Sequence, residues 1–212
     1  AGNEFTPSAG HAIGPDGRRD VAVCFLGASL VAGFGDPKGQ GWVGRVVGRS
    51  QHPDLDLTAY NLGVRGQSSA DILERWAREC PPRWEGRLER RIVLSVGAND
   101  VFRGISLARH RLNLANLLDE ATSQGIGAFV VGPPPTGDAD TNRVLETLTD
   151  AQADVCGRRG IPFVDCYRPL VTHDQWLAEL AAGHDQVHPG AAGYGLIAWL
   201  VLHGGWGPWL GI

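Results

Sequence analysis

Short apolar runs alternate along the chain with longer segments in which apolar residues recur at helical spacing. Runs that are apolar nearly throughout are typical of strands buried on both faces of a parallel sheet. Because helical stretches separate the runs, the pattern predicts an α/β fold with helices covering both faces of that sheet. The predicted strands are Val21–Gly27, Leu57–Gly63, Arg91–Gly97, Ile126–Gly132 and Ile161–Asp165.

Helices are predicted where apolar residues recur every three to four positions and where glycine or proline follows. The tail Gly204–Ile212 carries two tryptophans among glycines and is expected to lie as a strap over an apolar surface. The predicted helices are Ala70–Cys80, a stretch from Leu107 to Ala121, a stretch from Val144 to Val155, and Gly190–Leu202.

Residues 1–19 show no apolar periodicity and are expected to form an N-terminal extension. No linker, repeat or low-complexity tract interrupts the chain after that point, so residues 20–212 are predicted to form one domain. The 212 residues, 43% of them hydrophobic, suffice for one sizeable core.

The net charge bears on the possible partners of the protein, and the cysteines bear on its location. The net charge is −4 and the cationic residues are scattered, which argues against a nucleic-acid partner. No apolar run is long enough to span a membrane. Four cysteines lack metal-binding spacing and are expected to be reduced, buried thiols, so we expect a cytoplasmic location, with secretion through a removed leader as the alternative. They are Cys24, Cys80, Cys156 and Cys166.

Candidate chemistry begins where the first predicted strand ends. Ser29 follows Gly27 and Ala28, at the carboxyl edge where open α/β sheets keep their active sites. An activated serine needs a base, a group that orients the base, and donors for the developing oxyanion. The alternative is a strand-to-helix turn in which the serine caps backbone amides.

The base and its orienting acid are predicted just before the last helix. Asp185 lies three residues before His188, and Pro189 follows at the helix start. One turn can bring the carboxylate to one ring nitrogen and leave the other nitrogen for Ser29. Capping of the helix by these residues is the structural alternative.

Oxyanion donors are predicted after the second and third strands. Gly66 can offer an unobstructed backbone N–H, and Asn99 offers a side-chain amide. A turn glycine and an Asx turn are the alternatives.

These blocks together resemble the SGNH, or GDSL, hydrolase family. The order is Gly-x-Ser, Asn-x-Gly-x-x-Gly, Gly-x-Asn-Asp and Asp-x-x-His-Pro, and the similarity extends from Val21 to about Leu202. The resemblance implies a three-layer α/β/α flavodoxin-like sandwich with a five-stranded parallel sheet. It also implies a carboxylic ester hydrolase that needs no metal or cofactor, acting on a small acyl ester.

The family roles fall on matching positions. Ser29 resembles the nucleophile, Asp185 and His188 match the acid and base, and the N–H of Ser29, Gly66 and Asn99 match the oxyanion hole. The segment Val131–Pro135 is similar to one that borders the substrate cleft. We expect an esterase, thioesterase or lysophospholipase-type activity on a short or single-chain acyl ester; the oligomeric state is not indicated.

One departure and two alternatives accompany this hypothesis. Ala28 stands where the family usually has Asp, which puts the rigidity of the serine turn in question and keeps a catalytically weak or non-enzymatic binding protein as an alternative. A metal-dependent phosphohydrolase with His184, Asp185 and His188 as ligands is the other. The G-x-S-x-G class is excluded because Val31 replaces its last glycine.

Overall fold

The computed structural model describes residues 12–212 of the chain. Its centre is one five-stranded sheet in the order β2-β1-β3-β4-β5, with every neighbouring pair parallel. This confirms the predicted parallel sheet of a doubly wound α/β fold. The strands are β1 (Arg19–Gly27), β2 (Leu55–Gly63), β3 (Glu89–Ser95), β4 (Gly127–Val131) and β5 (Phe163–Val164).

Helices connect the strands and form the outer layers. The four predicted helices are present as α3, α6, α7 and α10, and the structure adds others that the spacing did not predict. The helices are α1 (Ser29–Ala32), α2 (Gly41–Arg49), α3 (Ser69–Glu79), α4 (Pro81–Trp84), α5 (Ala98–Phe102), α6 (Leu107–Ser123), α7 (Ala139–Gly157), α8 (Arg168–Val171), α9 (Asp174–Ala182), α10 (Ala191–Val201) and α11 (Gly207–Leu210).

Alternation along β1 divides the core into two layers. Val21, Val23 and Phe25 face one cluster, which α2, α9, α10 and the C-terminal tail complete. Residues between them, such as Cys24 and Leu26, face a second cluster with α3, α4, α6 and α7. Because β1 is buried at every position, it can be apolar throughout, as the sequence pattern indicated.

The sheet register aligns the carboxyl ends of the three strands nearest the predicted site. Gly27 at the end of β1 pairs with Gly63 of β2 and with Ser95 of β3. The loops that follow these strands therefore leave the sheet side by side. Ser29, Gly66 and Asn99 all lie on those loops or on the first turns of the helices that follow.

Two of the differences between the predicted and the observed strand bounds have a clear local cause. β3 stops at Ser95, because Gly97 (φ 152°) already turns the chain into α5. β5 is only two residues long, since Ile161 donates its N–H to the Cys156 carbonyl and closes α7. These differences in strand length do not change the order of the strands in the sheet.

The tail packs on the sheet, as expected of a strap, but is helical. A π-helical turn over Leu202–Trp206 breaks at Gly205 (φ 97°) and leads into α11. Trp206 is buried between Phe25 and Phe129, with ring centroids 6.0 and 5.4 Å away. The tail thereby closes one face of the core.

At the other end, β1 already begins at Arg19, where an antiparallel bridge joins Arg19 to Ile13. Residues 1–11 of the predicted extension lie outside the described residues. The domain boundary at residues 19 and 20 stays a prediction.

Candidate active site

Ser29 lies at the first position of α1, immediately beyond the end of β1. The turn needs glycine at the ends of both β1 and β2. A Cβ on Gly27 would meet the Ser95 carbonyl oxygen at 2.5 Å, and a Cβ on Gly63 would meet the Ala32 nitrogen at 2.5 Å. Such contacts are shorter than real Cβ atoms show. The close approach of strand and helix thus fixes where the serine hydroxyl emerges.

Hydrogen bonds from neighbouring elements hold the turn that contains Ala28. The Gly27 carbonyl accepts hydrogen bonds from the Val64 N–H at 3.0 Å and from the Arg75 guanidinium at 3.2 Å. Asn61 donates to the Val31 carbonyl within α1 at 2.8 Å. Ala28 itself contributes its carbonyl to the Ala32 N–H at 2.9 Å. Backbone bonds and two side chains of neighbouring elements therefore anchor the segment around Ser29.

The structure brings Ser29, His188 and Asp185 together. The Ser29 Oγ is 2.6 Å from the His188 Nε2, and the His188 Nδ1 is 2.5 Å from the Asp185 Oδ2. A carboxylate only accepts, so the Nδ1 carries a proton, and in the neutral form of the imidazole the Nε2 is the acceptor for the serine hydroxyl. The imidazole is largely buried, with 14% of its side chain exposed.

The Asp185 carboxylate is held by its own turn. Its Oδ1 accepts the backbone N–H groups of Val187 at 2.9 Å and His188 at 3.0 Å. Burial by itself would raise the pKa of this carboxyl, but these hydrogen bonds and the imidazole outweigh it and lower the pKa to about 2. Asp185 is therefore ionised at neutral pH.

A left-handed residue shapes the same turn. Gln186 has φ 57°, which is unusual for a residue other than glycine. Its carbonyl accepts the Gly137 N–H at 2.8 Å, and a Cβ on Gly137 would meet the Gln186 side chain at 2.5 Å. The segment after β4 thus fastens the turn between Asp185 and His188.

Gly66 and Asn99 border the same cavity as Ser29. Gly66 has φ 80°, and an added Cβ would meet no atom within 4 Å, so backbone conformation rather than crowding calls for glycine there. The Asn99 Nδ2 donates one hydrogen to the Gln67 carbonyl at 2.9 Å, and its second hydrogen has no acceptor in the described part of the chain. Within residues 12–212, the N–H groups of Ser29 and Gly66 donate to no protein atom.

The cavity has a volume of about 430 Å³ and reaches from Ser29 and His188 outward. Its size is within the range of small-molecule sites. Pro133 of the predicted rim segment and Phe102 border it, and Phe34 meets the His188 ring in a T-shaped arrangement, with centroids 4.8 Å apart. The larger apolar lining residues are Leu30, Val96, Phe102, Pro133 and Val187.

Behind the cavity lies a buried polar network that the motifs did not indicate. The Asp100 carboxylate accepts from the Ser69 N–H at 2.7 Å, from the Ser69 hydroxyl at 2.6 Å and from the His110 Nδ1 at 2.6 Å. Asp100 and His110 are both fully buried. Burial would raise the pKa of Asp100, but the bonds from His110 and Ser69 lower it, so the carboxylate stays charged.

The metal-dependent alternative can be compared with these positions. Within the described range, no three His, Cys, Asp or Glu side chains are grouped so that they could hold a metal ion. His184, Asp185 and His188 therefore do not form the metal site that the phosphohydrolase hypothesis needs.

Among residues 12–212 there is no helix both long and apolar enough to cross a bilayer. All four cysteines are buried, free thiols.

Fold and site together define the class: a three-layer α/β protein with a histidine-bonded serine at the carboxyl edge of a parallel sheet. The family model of the GDSL-like lipase/acylhydrolase family matches residues 25–196. The chain therefore belongs to this family and is a carboxylic ester hydrolase.

One curated protein resembles the chain in sequence, and solved structures resemble it in fold. The chain is 25% identical over 170 residues to esterase TesA of Pseudomonas aeruginosa, a match that covers 79% of each protein. Among solved structures, the acetylxylan esterase Axe2 of Geobacillus stearothermophilus matches with TM-score 0.73 and 19% identity, over 88% of this chain and 94% of that one. A lipolytic G-D-S-L family protein of Veillonella parvula matches with TM-score 0.69 and 23% identity, over 86% and 96%.

Structures described as catalytic mutants of Axe2 carry alanine in place of a serine, an aspartate or a histidine.

Proposed function

We propose that the chain is a serine acyl-hydrolase that uses Ser29, His188 and Asp185 as its catalytic triad. The observation that carries the proposal is the pair of short contacts on the two sides of the imidazole, 2.6 Å to the serine and 2.5 Å to the carboxylate, beside a cavity. The three residue types replaced in the Axe2 catalytic mutants support it.

In this mechanism the Ser29 Oγ attacks the carbonyl carbon of an ester or thioester while the His188 Nε2 takes the hydroxyl proton. The tetrahedral intermediate collapses, and the protonated imidazole gives that proton to the departing alcohol or thiol. Water then attacks the acyl-enzyme, His188 accepts its proton, and the acid leaves as Ser29 is restored. The ionised Asp185 stabilises the imidazolium in both half-reactions.

The negative oxygen of each intermediate would be bound by three donors: the N–H groups of Ser29 and Gly66 and the Asn99 amide. The first N–H groups of a helix lack intrahelical partners, which leaves the Ser29 N–H available. Donors fixed in place before the reaction stabilise charge without reorganisation. The unused hydrogens around this cavity support the assignment.

The cavity favours short or single-chain acyl groups. Its lining near Ser29 is mostly apolar, which suits an acyl chain, and about 430 Å³ accommodates a small ester rather than a triglyceride. Substrates of esterase, thioesterase or lysophospholipase type share that chemistry.

The test is a panel of p-nitrophenyl acetate, butyrate, octanoate and laurate, run beside acyl-CoA and acetylated sugars. We expect hydrolysis of the shorter esters that Ser29→Ala abolishes and that Ser123→Ala, an exposed serine at the end of α6, leaves intact. Activity that survives in Ser29→Ala, or that a chelator removes and one divalent metal restores, would contradict the proposal.

A further inference from the structure

Arg65 occupies a constrained position beside the proposed oxyanion hole. It follows β2 in a tight turn in which the Val64 N–H donates to Gly27 and the Gln67 N–H donates to the Val64 carbonyl at 3.4 Å. Gly66, with φ 80°, completes this turn. The chain direction at Arg65 is therefore fixed by the same contacts that hold the serine turn.

The guanidinium of Arg65 rests on an aromatic ring that touches His188. Its central carbon lies 3.8 Å from the centre of the Phe34 ring, which meets the imidazole in a T-shaped arrangement. A cation stacked on a ring presents its N–H groups sideways, where they are free to donate. Arg65 thus offers charged donors next to Ser29 and His188.

The charges around the cavity are unbalanced. Arg65 is the only lysine or arginine among the described residues that line it, and no aspartate or glutamate lines it. Most arginines in the described part of the chain pair with a carboxylate, but Arg65 makes no ion pair or hydrogen bond there. A charged donor without a protein partner, at the mouth of a mostly apolar cavity, is suited to an anionic group of the ligand.

We infer that Arg65 makes the site selective for acyl esters that carry an anionic group, a carboxylate or a phosphate, near the scissile bond. This inference rests on the proposed hydrolase function. The anion would lie against the guanidinium while the ester carbonyl faces Ser29. Since the chain carries a net charge of −4, this local cation also counters the repulsion that an anionic substrate would meet.

The experiment compares matched anionic and neutral esters. With the anion on the alcohol side, 4-acetoxybenzoate and 4-acetoxyphenyl phosphate are compared with 4-acetoxybenzamide; with the anion on the acyl side, mono-4-nitrophenyl adipate is compared with 4-nitrophenyl hexanoate. Ser29→Ala gives the blank for each. The quantity measured is the ratio of kcat/KM for the anionic ester to that for its neutral partner.

We expect Arg65→Gln to lower this ratio by about tenfold for at least one of the anionic esters. Arg65→Lys should lower the ratio less, and added salt should lower it in the wild type only. Arg78→Gln removes the same charge from the exposed end of α3 and serves as the control. A ratio in Arg65→Gln within twofold of the wild type in every arm overturns the inference. Failure of the hydrolase proposal itself is distinguishable, because Ser29→Ala would then cleave the neutral esters as the wild type does.

A second inference comes from the buried network around Asp100. Asp100 directly follows Asn99 in the chain, and its carboxylate binds both the N–H and the hydroxyl of Ser69, three residues after Gly66. The Asn99 amide bonds the Gln67 carbonyl in parallel. These contacts tie together the two loops that carry the proposed side-chain and backbone donors.

His110 extends the network to the segment that follows β3. Its Nδ1 faces Asp100, so its Nε2 is an acceptor, and the Gln152 amide donates to it at 3.1 Å and to the Val96 carbonyl at 2.7 Å. We propose that Asp100 and His110 are positioning residues that set the distance between Gly66 and Asn99. Neither lines the cavity, so they act through the loops rather than on the substrate.

A double-mutant cycle tests this role. Asp100→Asn should lower kcat by about tenfold or more with little change in KM, after the active fraction is titrated with a fluorophosphonate. In the Asn99→Ala background the same change should cost much less, because the donor that it positions is already gone. Ser69→Ala, which keeps the backbone N–H, is the milder variant if Asp100→Asn does not fold.

A loss that is equal in both backgrounds, or that appears only as a lower active fraction, overturns the positioning role. Rescue is the further check: His110→Gln, which can still donate to Asp100, should keep more kcat than His110→Ala.

Discussion

Replacing Gly63 with alanine should test how tightly the nucleophile turn is built. Gly63 ends β2 and faces α1, the helix that begins with Ser29. A Cβ at this position would lie 2.5 Å from the Ala32 nitrogen and 2.9 Å from the Ala28 carbonyl oxygen, both backbone atoms. Backbone cannot rotate away as a side chain can, so either α1 or the end of β2 must move.

The size of that movement follows from the distances. Ordinary contact begins at 3.4 Å, so the gap to the Ala32 nitrogen must open by about 0.9 Å, the difference from 2.5 Å. A misplacement of about 1 Å can cost roughly 10²-fold in rate when it separates reacting groups. Overpacking of this kind also lowers the free energy of unfolding by roughly 1–3 kcal/mol. The Ser29–His188 contact of 2.6 Å is the one that the shift would disturb.

The assay is kcat/KM on p-nitrophenyl butyrate together with urea unfolding of the same preparations. We expect Gly63→Ala to lose about 10²-fold in kcat/KM while remaining folded. Gly48→Ala is the matched control, because a Cβ there meets no atom within 4 Å, and in α2 it should stabilise the fold by roughly 0.5–1 kcal/mol. Wild-type kcat/KM in Gly63→Ala would refute the reasoning.

Three further outcomes are expected. Asn99→Ala should lower kcat by roughly 10²–10³-fold in steady-state assays, and a loss below tenfold would remove Asn99 from the oxyanion hole. Asp36→Asn should destabilise the fold by roughly 1–3 kcal/mol at neutral pH, since the carboxylate accepts from the Arg45 guanidinium and three backbone N–H groups. Burial would raise the pKa of Asp36, but those bonds hold the pKa well below its usual range. The difference in unfolding free energy between the wild type and Asp36→Asn should therefore be largest above about pH 4 and shrink as the pH falls below that value. Trp206→Ala should cost roughly 3–5 kcal/mol in chemical denaturation, because it empties a buried ring site and leaves the Ser50 hydroxyl without the indole donor.

The sheet could be predicted because its strands are buried on both faces. β1 is apolar nearly throughout and ends in a glycine that the packing requires, so both its position and its end are visible in the sequence. Helices α6 and α7 could be predicted because each has one apolar face that repeats over many turns.

Helix α2 escaped prediction because glycine interrupts its apolar face. Trp42, Val43 and Val46 are buried at helical spacing, but Gly41, Gly44 and Gly48 suggest a loop. The start of this helix is fixed instead by the Asp36 carboxylate, which accepts the Gly41 N–H at 2.8 Å from five residues away. Capping from a preceding loop leaves only a weak signal in the sequence.

Some residues in and around the candidate site could be predicted from the sequence and others could not. Ser29, Asp185 and His188 could be predicted because strand ends and an Asp-x-x-His turn have recognisable local patterns. Arg75 and His110 could not, because their partners lie on other elements: Arg75 bonds the Gly27 and Leu62 carbonyls, and His110 bonds the Asp100 carboxylate. Contacts between elements follow no spacing rule that can be read from the sequence.

The position of Ala28 illustrates what the structure adds. Sequence comparison with the family pattern raised doubt about the serine turn, since a carboxylate is missing there. The structure shows the turn held by the bonds from Arg75, Asn61 and Val64 instead. Arg75→Ala should therefore matter more for this site than the presence of alanine at position 28.

The most direct test of the triad is the mass of the protein after treatment with a fluorophosphonate. The account predicts one adduct, located on Ser29 by peptide mapping, with hydrolysis of p-nitrophenyl butyrate lost in step with labelling. Ser29→Ala and His188→Ala should remain unlabelled under the same conditions. An adduct on a different residue, or unchanged ester hydrolysis in protein fully labelled at Ser29, would contradict it.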